Sequence, residues 1–382
     1  MIKNIIKLFF YSITVIILFA IYLTFIGIKT DKFNDLIKNE VLRVNKKINL
    51  NLETVKILLN LKDLTFEITT LRPNLLIEGH RIPIEEIKTD VSTISLLTNE
   101  FSIKNLNITT KEIQLDDVIF IRKSFKSSPE LFLLDKIVQD GYVICEIDLN
   151  FDQYGKIKNN YEIKGFIKNA KIDFFNKNLL DNLDLLFKIN KEEYYLEEIQ
   201  SNFNQVKIFF PFIKIKENIK NFSIDGKILT EDNLNNIHML NSLLNNSLKE
   251  FDIEKINFSS ESNFSFDINK KLKVDNFKVK SEINLSSLIY NNDSLNINKY
   301  LPNFQNTIEL QNNKIFIEYK KNKLKVRGKG QISIEKTFDY LEYEVTKKDD
   351  KYNFKTILDI NKNSIVLDIL NNEKKKNLNS IL

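Results

Sequence analysis

The sequence predicts a mainly β protein tethered to a membrane. An N-terminal transmembrane helix leads into a long, curved, predominantly antiparallel sheet, with a few short helices. Three observations carry this prediction. Leu8 to Ile28, "LFFYSITVIILFAIYLTFIGI", is 21 residues without a charge. From about residue 50 onward, apolar residues recur mostly every second position, the period of a strand with one face against a core. Finally, the chain holds only 8 glycines and 5 prolines, so it lacks the material for nucleotide-binding loops or flexible linkers.

The elements follow in order. At about 1.5 Å rise per residue, the apolar run spans roughly 30 Å of hydrocarbon. Lys3 and Lys7 precede it, and Lys29, Asp31 and Lys32 follow. No A-x-A-like exit follows, so residues 1–30 read as an uncleaved single-pass anchor rather than a cleaved leader. Lys38, Arg43, Lys46 and Lys47 cluster beyond the span, so charge alone does not set the topology. A short N-terminus with the bulk of the chain exported is the expectation. Thr30 and Asp31 can cap a continuing juxtamembrane helix over residues 31–48, with Phe33, Leu36, Ile37, Val41, Val44 and Ile48 on one face.

Residues 49–382 then read as a β-rich region. The shape apolar-x-apolar-x-x-apolar-x-apolar occurs in "LNLKDLTF" (Leu59–Phe66), "FSIKNLNI" (Phe101), "IQLDDVIF" (Ile113) and "LKVDNFKV" (Leu272). "IPIEEIKT" (Ile82) follows it with Thr89 in the last place. The polar pair flips the apolar face unless one residue bulges out, so each match is either a bulged strand or a turn between two strands. Strand runs continue through "VKIFFPFIKIK", "INFSSESNFSFDI", "KIFIEYKKNKLKVRGKGQISI" and "SIVLDIL". Asp225–Gly226 and "KKNK" at Lys320 are expected hairpin turns. Helical insertions are expected near 129–140, where Pro129 sits at a favoured first-turn place. A second is expected near 231–251, where Leu234, Ile237, Leu240, Leu244, Leu248 and Phe251 share a stripe. Tyr290 to Phe304 reads as an Asn-rich loop.

The chemistry-bearing residues are sparse. His80 and His238 are the only histidines, and neither has a partner at ligand spacing, so no metal site is expected. Cys145 is alone and reads as a small buried strand residue. No G-x-S-x-G, G-x-G-x-x-G or P-loop occurs, and "RGKG" at Arg327 reads as strand glycine. Adjacent carboxylates such as Asp116–Asp117 and Glu192–Glu193 would point to opposite strand faces, which suits solvation rather than acid–base work. Acidic and basic residues are interspersed at a net charge of +5, with no basic stripe for nucleic acid. No catalysis and no cofactor are expected.

What remains is apolar area. A sheet with one apolar face must cover it with helices, a second sheet or lipid. An open trough would suit acyl chains, at about 0.8 kcal/mol per buried methylene. A closed β-sandwich or barrel with a dry core is the other reading the residues allow.

The stretch from Leu59 to Phe120 also resembles the AsmA-like proteins of the Gram-negative envelope, which include the TamB and YhdP branches. The shared cadence lies in Pro73 to Ile77, Ile82 to Ile87, Ser95 to Leu97, Phe101 to Ile108 and Ile113 to Leu115. The resemblance implies an inner-membrane anchor, a periplasmic β-groove, and phospholipid as the bound partner in outer-membrane lipid homeostasis. Other envelope proteins are further partners it allows. On this expectation Leu64, Phe66, Ile82, Ile84, Phe101, Ile103, Leu106, Ile108, Ile113 and Leu115 line the lipid-facing side. The alternative is a non-catalytic envelope scaffold or assembly factor. This chain is shorter than the best-known members; about eighteen strands at roughly 4.8 Å each stack to about 90 Å.

Overall fold

A computed structural model describes residues 2–93, 103–125, 128–231, 252–291 and 304–375, apart from 33, 45, 153–155, 175–177, 205, 305, 334–336, 350, 360, 363–364 and 368–371. Among the described residues twenty strands belong to one open antiparallel sheet. The chain divides into two compact units. The first is residues 1–170 with 186–191, and the second is 171–185 with 192–382.

The first unit begins with helix α1 (Ile2–Phe25), strand β1 (Ile28–Thr30), helix α2 (Asn34–Val44) and strands β2 (Ile48–Asn51), β3 (Val55–Asn60), β4 (Thr65–Leu71), β5 (Asn74–Ile77) and β6 (His80–Ser92). Strands β7 (Ile103–Thr110) and β8 (Ile113–Gln114) follow, then helices α3 (Leu115–Phe125) and α4 (Pro129–Ile137) and strand β9 (Val138–Asn150). Pairing runs β1–β3–β4–β6–β7–β9. The short pair β2–β5 extends the edge at the start of β6, and β8 lies beside β9.

Within α1, Lys7–Phe25 is long and apolar enough to cross a membrane, with mean hydropathy 2.3 and 6% of the window buried. The hydroxyls of Thr14 and Thr24 donate back to the carbonyls of Phe10 and Ala20, both at 2.9 Å, so neither is left unpaired in an apolar surround. The helix stops earlier than the apolar run does. The N–H groups of Ile26 and Gly27 both bond to the Tyr22 carbonyl, and Gly27 takes a φ of +75°. That left-handed cap ends the helix, so Ile28 lies in β1 rather than in the span. A Cβ at Gly27 would also stand 2.5 Å from the Ile57 carbonyl oxygen. The juxtamembrane helix is therefore not a continuation of the anchor. Pairing of β1 to β3 interrupts it, and α2 covers only Asn34–Val44.

Strands β10 (Glu162–Phe174) and β11 (Asn178–Ile189) continue the sheet, followed by β12 (Glu193–Phe203), β13 (Val206–Glu217) and β14 (Asn221–Thr230). Then come β15 (Asp252–Asn269), β16 (Val274–Asn291), β17 (Thr307–Lys320), β18 (Lys323–Ser333), β19 (Phe338–Lys348) and β20 (Lys351–Asp359). From β12 to β20 each strand pairs antiparallel with the next. A small hairpin, β21 (Ile365–Leu367) with β22 (Asn372–Lys374), stands apart from the main sheet.

The expected turn at Lys320 is present between β17 and β18. The one at Asp225–Gly226 is not, because both residues pair within β14. Gly226 serves there by its missing side chain: a Cβ would lie 2.5 Å from the Phe264 ring, which occupies that space. The helix from Pro129 is present, with the Ser128 hydroxyl accepting from the Leu131 N–H and β9 beginning at Val138. The expected helix over 231–251, with His238, and most of the loop before Phe304 lie outside the described residues.

The repeated x-x motif resolves in three ways. At Lys62–Asp63 it is a turn between β3 and β4. At Glu85, Lys104 and Asn276 it is a bulge within a strand pair. At Asp116–Asp117 the expected strand is wrong, since those acids open α3. Acids in the first turn and Arg122 and Lys123 in the last match the helix dipole, which favours a helix over a strand.

Two buried clusters hold the sheet. In the first unit Ile77, Ile82, Ile84, Ile113 and Val143 are buried, with Leu115, Val118 and Ile121 of α3 packed onto them. In the second, Ile208, Phe258 and Leu285 are buried beneath Phe203, Phe210, Ile256 and Ile283. Ile84 is 3% exposed, so Ile84→Ala should lose transfer energy and leave a cavity, costing about 2–5 kcal/mol. Phe354→Ala, at a site 72% exposed, should cost well under about 1 kcal/mol. Urea midpoints of the two variants in detergent check this, and equal shifts would contradict the burial.

Candidate apolar binding face

Strand register decides which residues share a face. In the first unit Leu59, Phe66, Val91 and Ile103 form one cross-strand row. Ile57, Ile68, Thr89, Leu106 and Leu149 form the next, and Val55, Thr70, Ile87, Ile108 and Ile147 the third. Adjacent residues on these strands point the other way and are mostly polar: Glu67, Asp90 and Asn105, then Lys88, Asn107 and Asp148. One face is therefore apolar and the other polar.

Of the residues expected to line the lipid-facing side, Phe66, Ile82, Ile84, Ile103, Leu106, Ile108 and Ile113 lie on this apolar face. They divide into two groups. Phe66, Ile103 and Leu106 are half-buried outside the cluster on which α3 packs, and Ile108 is half-buried against that cluster. Ile82, Ile84 and Ile113 are buried beneath α3 and form dry core. Two residues depart from the expectation. Leu64 sits in the β3–β4 turn, 59% exposed, with a φ of +48°. Leu115 is the first residue of α3 and covers the face instead of lining it. Phe101 lies outside the described residues.

The cover is fastened at its far end. The Lys47 ammonium pairs with Glu78 at 2.6 Å and donates to the Ser124 carbonyl at 2.8 Å. This ties the β5–β6 turn to the last turn of α3. The His80 ring lies tilted by 41° against Phe120, with centroids 4.0 Å apart, so this histidine is a packing group. Cys145 likewise packs against the cluster, and burial pushes its thiol up, the opposite of what a nucleophile needs.

The second unit repeats the division on a larger scale. Ile213, Gly226, Phe264, Val279, Tyr319 and Leu324 form one row. Ile228, Ser262, Ser281, Ile317, Val326, Val345 and Phe354 form the next. Along this face the rings of Phe210, Phe264, Phe266, Phe277 and Tyr319 follow one another at centroid spacings of 6.4, 6.0, 6.2 and 5.9 Å. Phe277 is 43% exposed, so the ladder is reachable from outside. The opposite face carries cross-strand ion pairs: Lys227–Glu261 at 2.7 Å, Lys325–Glu344 at 3.0 Å, and Lys314–Glu282.

Sequence reasoning missed this ladder, because the lining residues were sought only around the resemblance. The signal was present in "SNFSFD", where two phenylalanines stand two apart and so share a face. It also missed α3 as a cover, although "LDDVIFIRK" carries helix-type charges at both ends.

The polar face of the first unit has a shallow depression of about 310 Å³ bounded by Glu67, Lys88, Asp90, Asn105, Asn107 and Asp148. Its groups are paired with each other. Asn105 donates to Asp90 at 2.6 Å, and Asn107 donates to both Glu146 and Asp148. The Asn107 hydrogen bond, then Lys164, holds the Glu146 carboxyl below its usual range. Among the described residues no group of His, Cys, Asp and Glu could hold a metal ion.

No family model matches the chain, and no solved structure matches it. Among curated proteins, Protein Ycf2 of Physcomitrium patens is 27% identical over 264 residues, 68% of this chain. The matched stretch is 10% of that protein's length. At that identity and share the likeness assigns neither a family nor an activity.

The Lys47 bond, then Ser124, lowers the Glu78 carboxyl below its ordinary value. A depressed carboxylate contributes stability above its unfolded pKa of about 4.3, and that stability is lost as pH falls through the folded value. Wild type should therefore exceed Glu78→Gln in urea midpoint by a constant gap from pH 5 to 8. The gap should close below about pH 4. A gap unchanged at pH 3 would remove the clasp from the account.

Proposed function

We propose that this chain is a non-catalytic, membrane-anchored lipid-handling protein of AsmA-like type. The reading places its anchor in the inner membrane and its sheet in the periplasm. It assigns phospholipid acyl chains to the apolar face. One observation carries it: each unit has a charged face and an apolar face, and much of the apolar face stays partly exposed, although Val55 and Val91 in its rows are fully buried. Leaving apolar area in water costs about 25 cal/mol per Å². An acyl chain laid across the cross-strand rows would remove that cost without needing hydrogen-bond partners. The ring ladder supports the reading, since flat aromatic surfaces take hydrocarbon without demanding one register. The N-terminal helix supports it too, by tying the sheet to a source of lipid.

A second reading, an envelope scaffold with a closed core, draws on the dry cluster beneath α3. Photocrosslinking separates the two. Photoreactive residues at Phe66, Ile103 and Phe277 should yield lipid adducts by mass spectrometry, whereas the buried Ile84 should yield protein adducts only. Protein adducts alone at all four positions would favour the scaffold.

A further inference from the structure

The exposed leucines of the β3–β4 turn have no place in the binding face, and their position suggests another. Leu61 and Leu64 are 50% and 59% exposed at the tip of that turn. We propose that this turn is a second membrane-contact element, a leucine wedge seated in the bilayer surface beside α1. The proposal rests on the reading of α1 as the anchor.

The geometry comes from the register. Ile28, the residue after Gly27, pairs with Ile57, and β3 runs antiparallel to β1. Strand β3 therefore travels back alongside the end of α1. Leu23 is buried, and the Gly27 backbone lies against Ile57 and Leu58, so helix and strand touch there. From Ile57 to Leu61 the strand advances about 13 Å at roughly 3.3 Å per residue. Along a helix that distance is about nine residues. At its deepest the turn tip then lies level with Phe19, and any tilt of the strand from the helix axis brings it nearer to Phe25. If Lys7–Phe25 crosses the bilayer, the tip reaches the boundary between headgroups and hydrocarbon.

Three further features fit that place. First, the turn satisfies its backbone N–H groups, while the charged Lys62 and Asp63 at its tip stay exposed, which fits the headgroup level rather than the hydrocarbon. The Asn60 side-chain oxygen accepts from the N–H of Lys62 at 3.0 Å and of Asp63 at 3.3 Å, and its amide donates to Asp63 at 3.0 Å. The Leu64 carbonyl accepts from both the N–H and the hydroxyl of Thr93. A loop entering a low-water layer needs this. Second, Leu64 holds a φ of +48°. A branched apolar residue is strained there, and asparagine is the residue this chain uses most often at such positions. Third, Lys29 and Lys56 stand directly opposite each other between β1 and β3, and neither makes an ion pair among the described residues. Like charges so placed repel unless an anion lies between them. They sit just past the end of α1, at the level where lipid phosphates would lie.

The test uses the full chain in nanodiscs of phosphatidylcholine and phosphatidylglycerol, in a Cys145→Ser background. Single cysteines at Leu61 or Leu64 carry an NBD fluorophore. Phe19→Cys marks the span, and Arg81→Cys, at the far end of β6, marks water. Emission at positions 61 and 64 should shift to the blue and be quenched by doxyl-labelled lipid, close to the Phe19 signal. Leu64→Asn should raise the melting temperature while reducing quenching at position 61, which a purely structural role for Leu64 would not do. Quenching at Phe19 with water-like signals at 61 and 64 would overturn the wedge and leave the anchor standing. Water-like signals at all positions would overturn both.

Discussion

One constraint organises this molecule: in a β-strand, successive side chains point to opposite sides, so a sheet sorts its residues into two faces. Twenty antiparallel strands carry that sorting through both units. Along most of the register isoleucine, leucine and phenylalanine gather on one side and lysine–glutamate pairs on the other, with Phe212 and Phe316 as exceptions on the charged side. A slip of one residue anywhere would drive charges into the apolar rows. The fold, the clusters and the candidate binding face all follow from keeping that register.

Keeping it over such strands requires devices. Strands do not stay flat and in phase, and a bulge restores the face after an extra residue. Among the described residues fourteen non-glycine residues take positive φ, and seven of them are asparagines: Asn169, Asn182, Asn204, Asn276, Asn306, Asn312 and Asn322. Asparagine tolerates the left-handed region because its short amide bonds locally. A chain with 8 glycines thus meets its bulges and turns with asparagine. Several of these asparagines sit at bulges and turns of the sheet, as Asn276, Asn312 and Asn322 do. Gly165, Gly226, Gly328 and Gly330 act by leaving space, as where the Phe264 ring lies over Gly226.

The helices are local solutions to the same apolar face. Helix α3 closes one patch and is held by its own apolar residues, by the Lys47–Glu78 clasp and by an ion pair from Lys123 to Asp135 at 2.8 Å. The exposed ion pairs contribute little, so the cluster beneath carries most of the hold. The joint at Gly27 is of another kind. It converts a helix into a paired strand within three residues, so the apolar helix enters the sheet through a hydrogen-bonded edge rather than a loose linker.

Much of this was legible in the sequence, and the limits have a physical cause. The two-residue rhythm by itself determined a mainly β, antiparallel architecture, and the uncharged run determined an apolar helix able to cross a membrane. It also placed Leu106 and Ile108 on one face, because alternation is a property of the strand alone, whereas Ile103 joined them only through the bulge at Lys104. Tertiary structure decided the rest. Whether Lys62–Asp63, Glu85–Glu86 and Asp116–Asp117 became a turn, a bulge or a helix start depended on which strand lay alongside. Whether Ile84 was lining or core depended on α3 folding over it, and the ring ladder depended on pairing across β13 to β17. Those outcomes rest on contacts between residues far apart in the chain, and a local pattern carries no information about its distant partner.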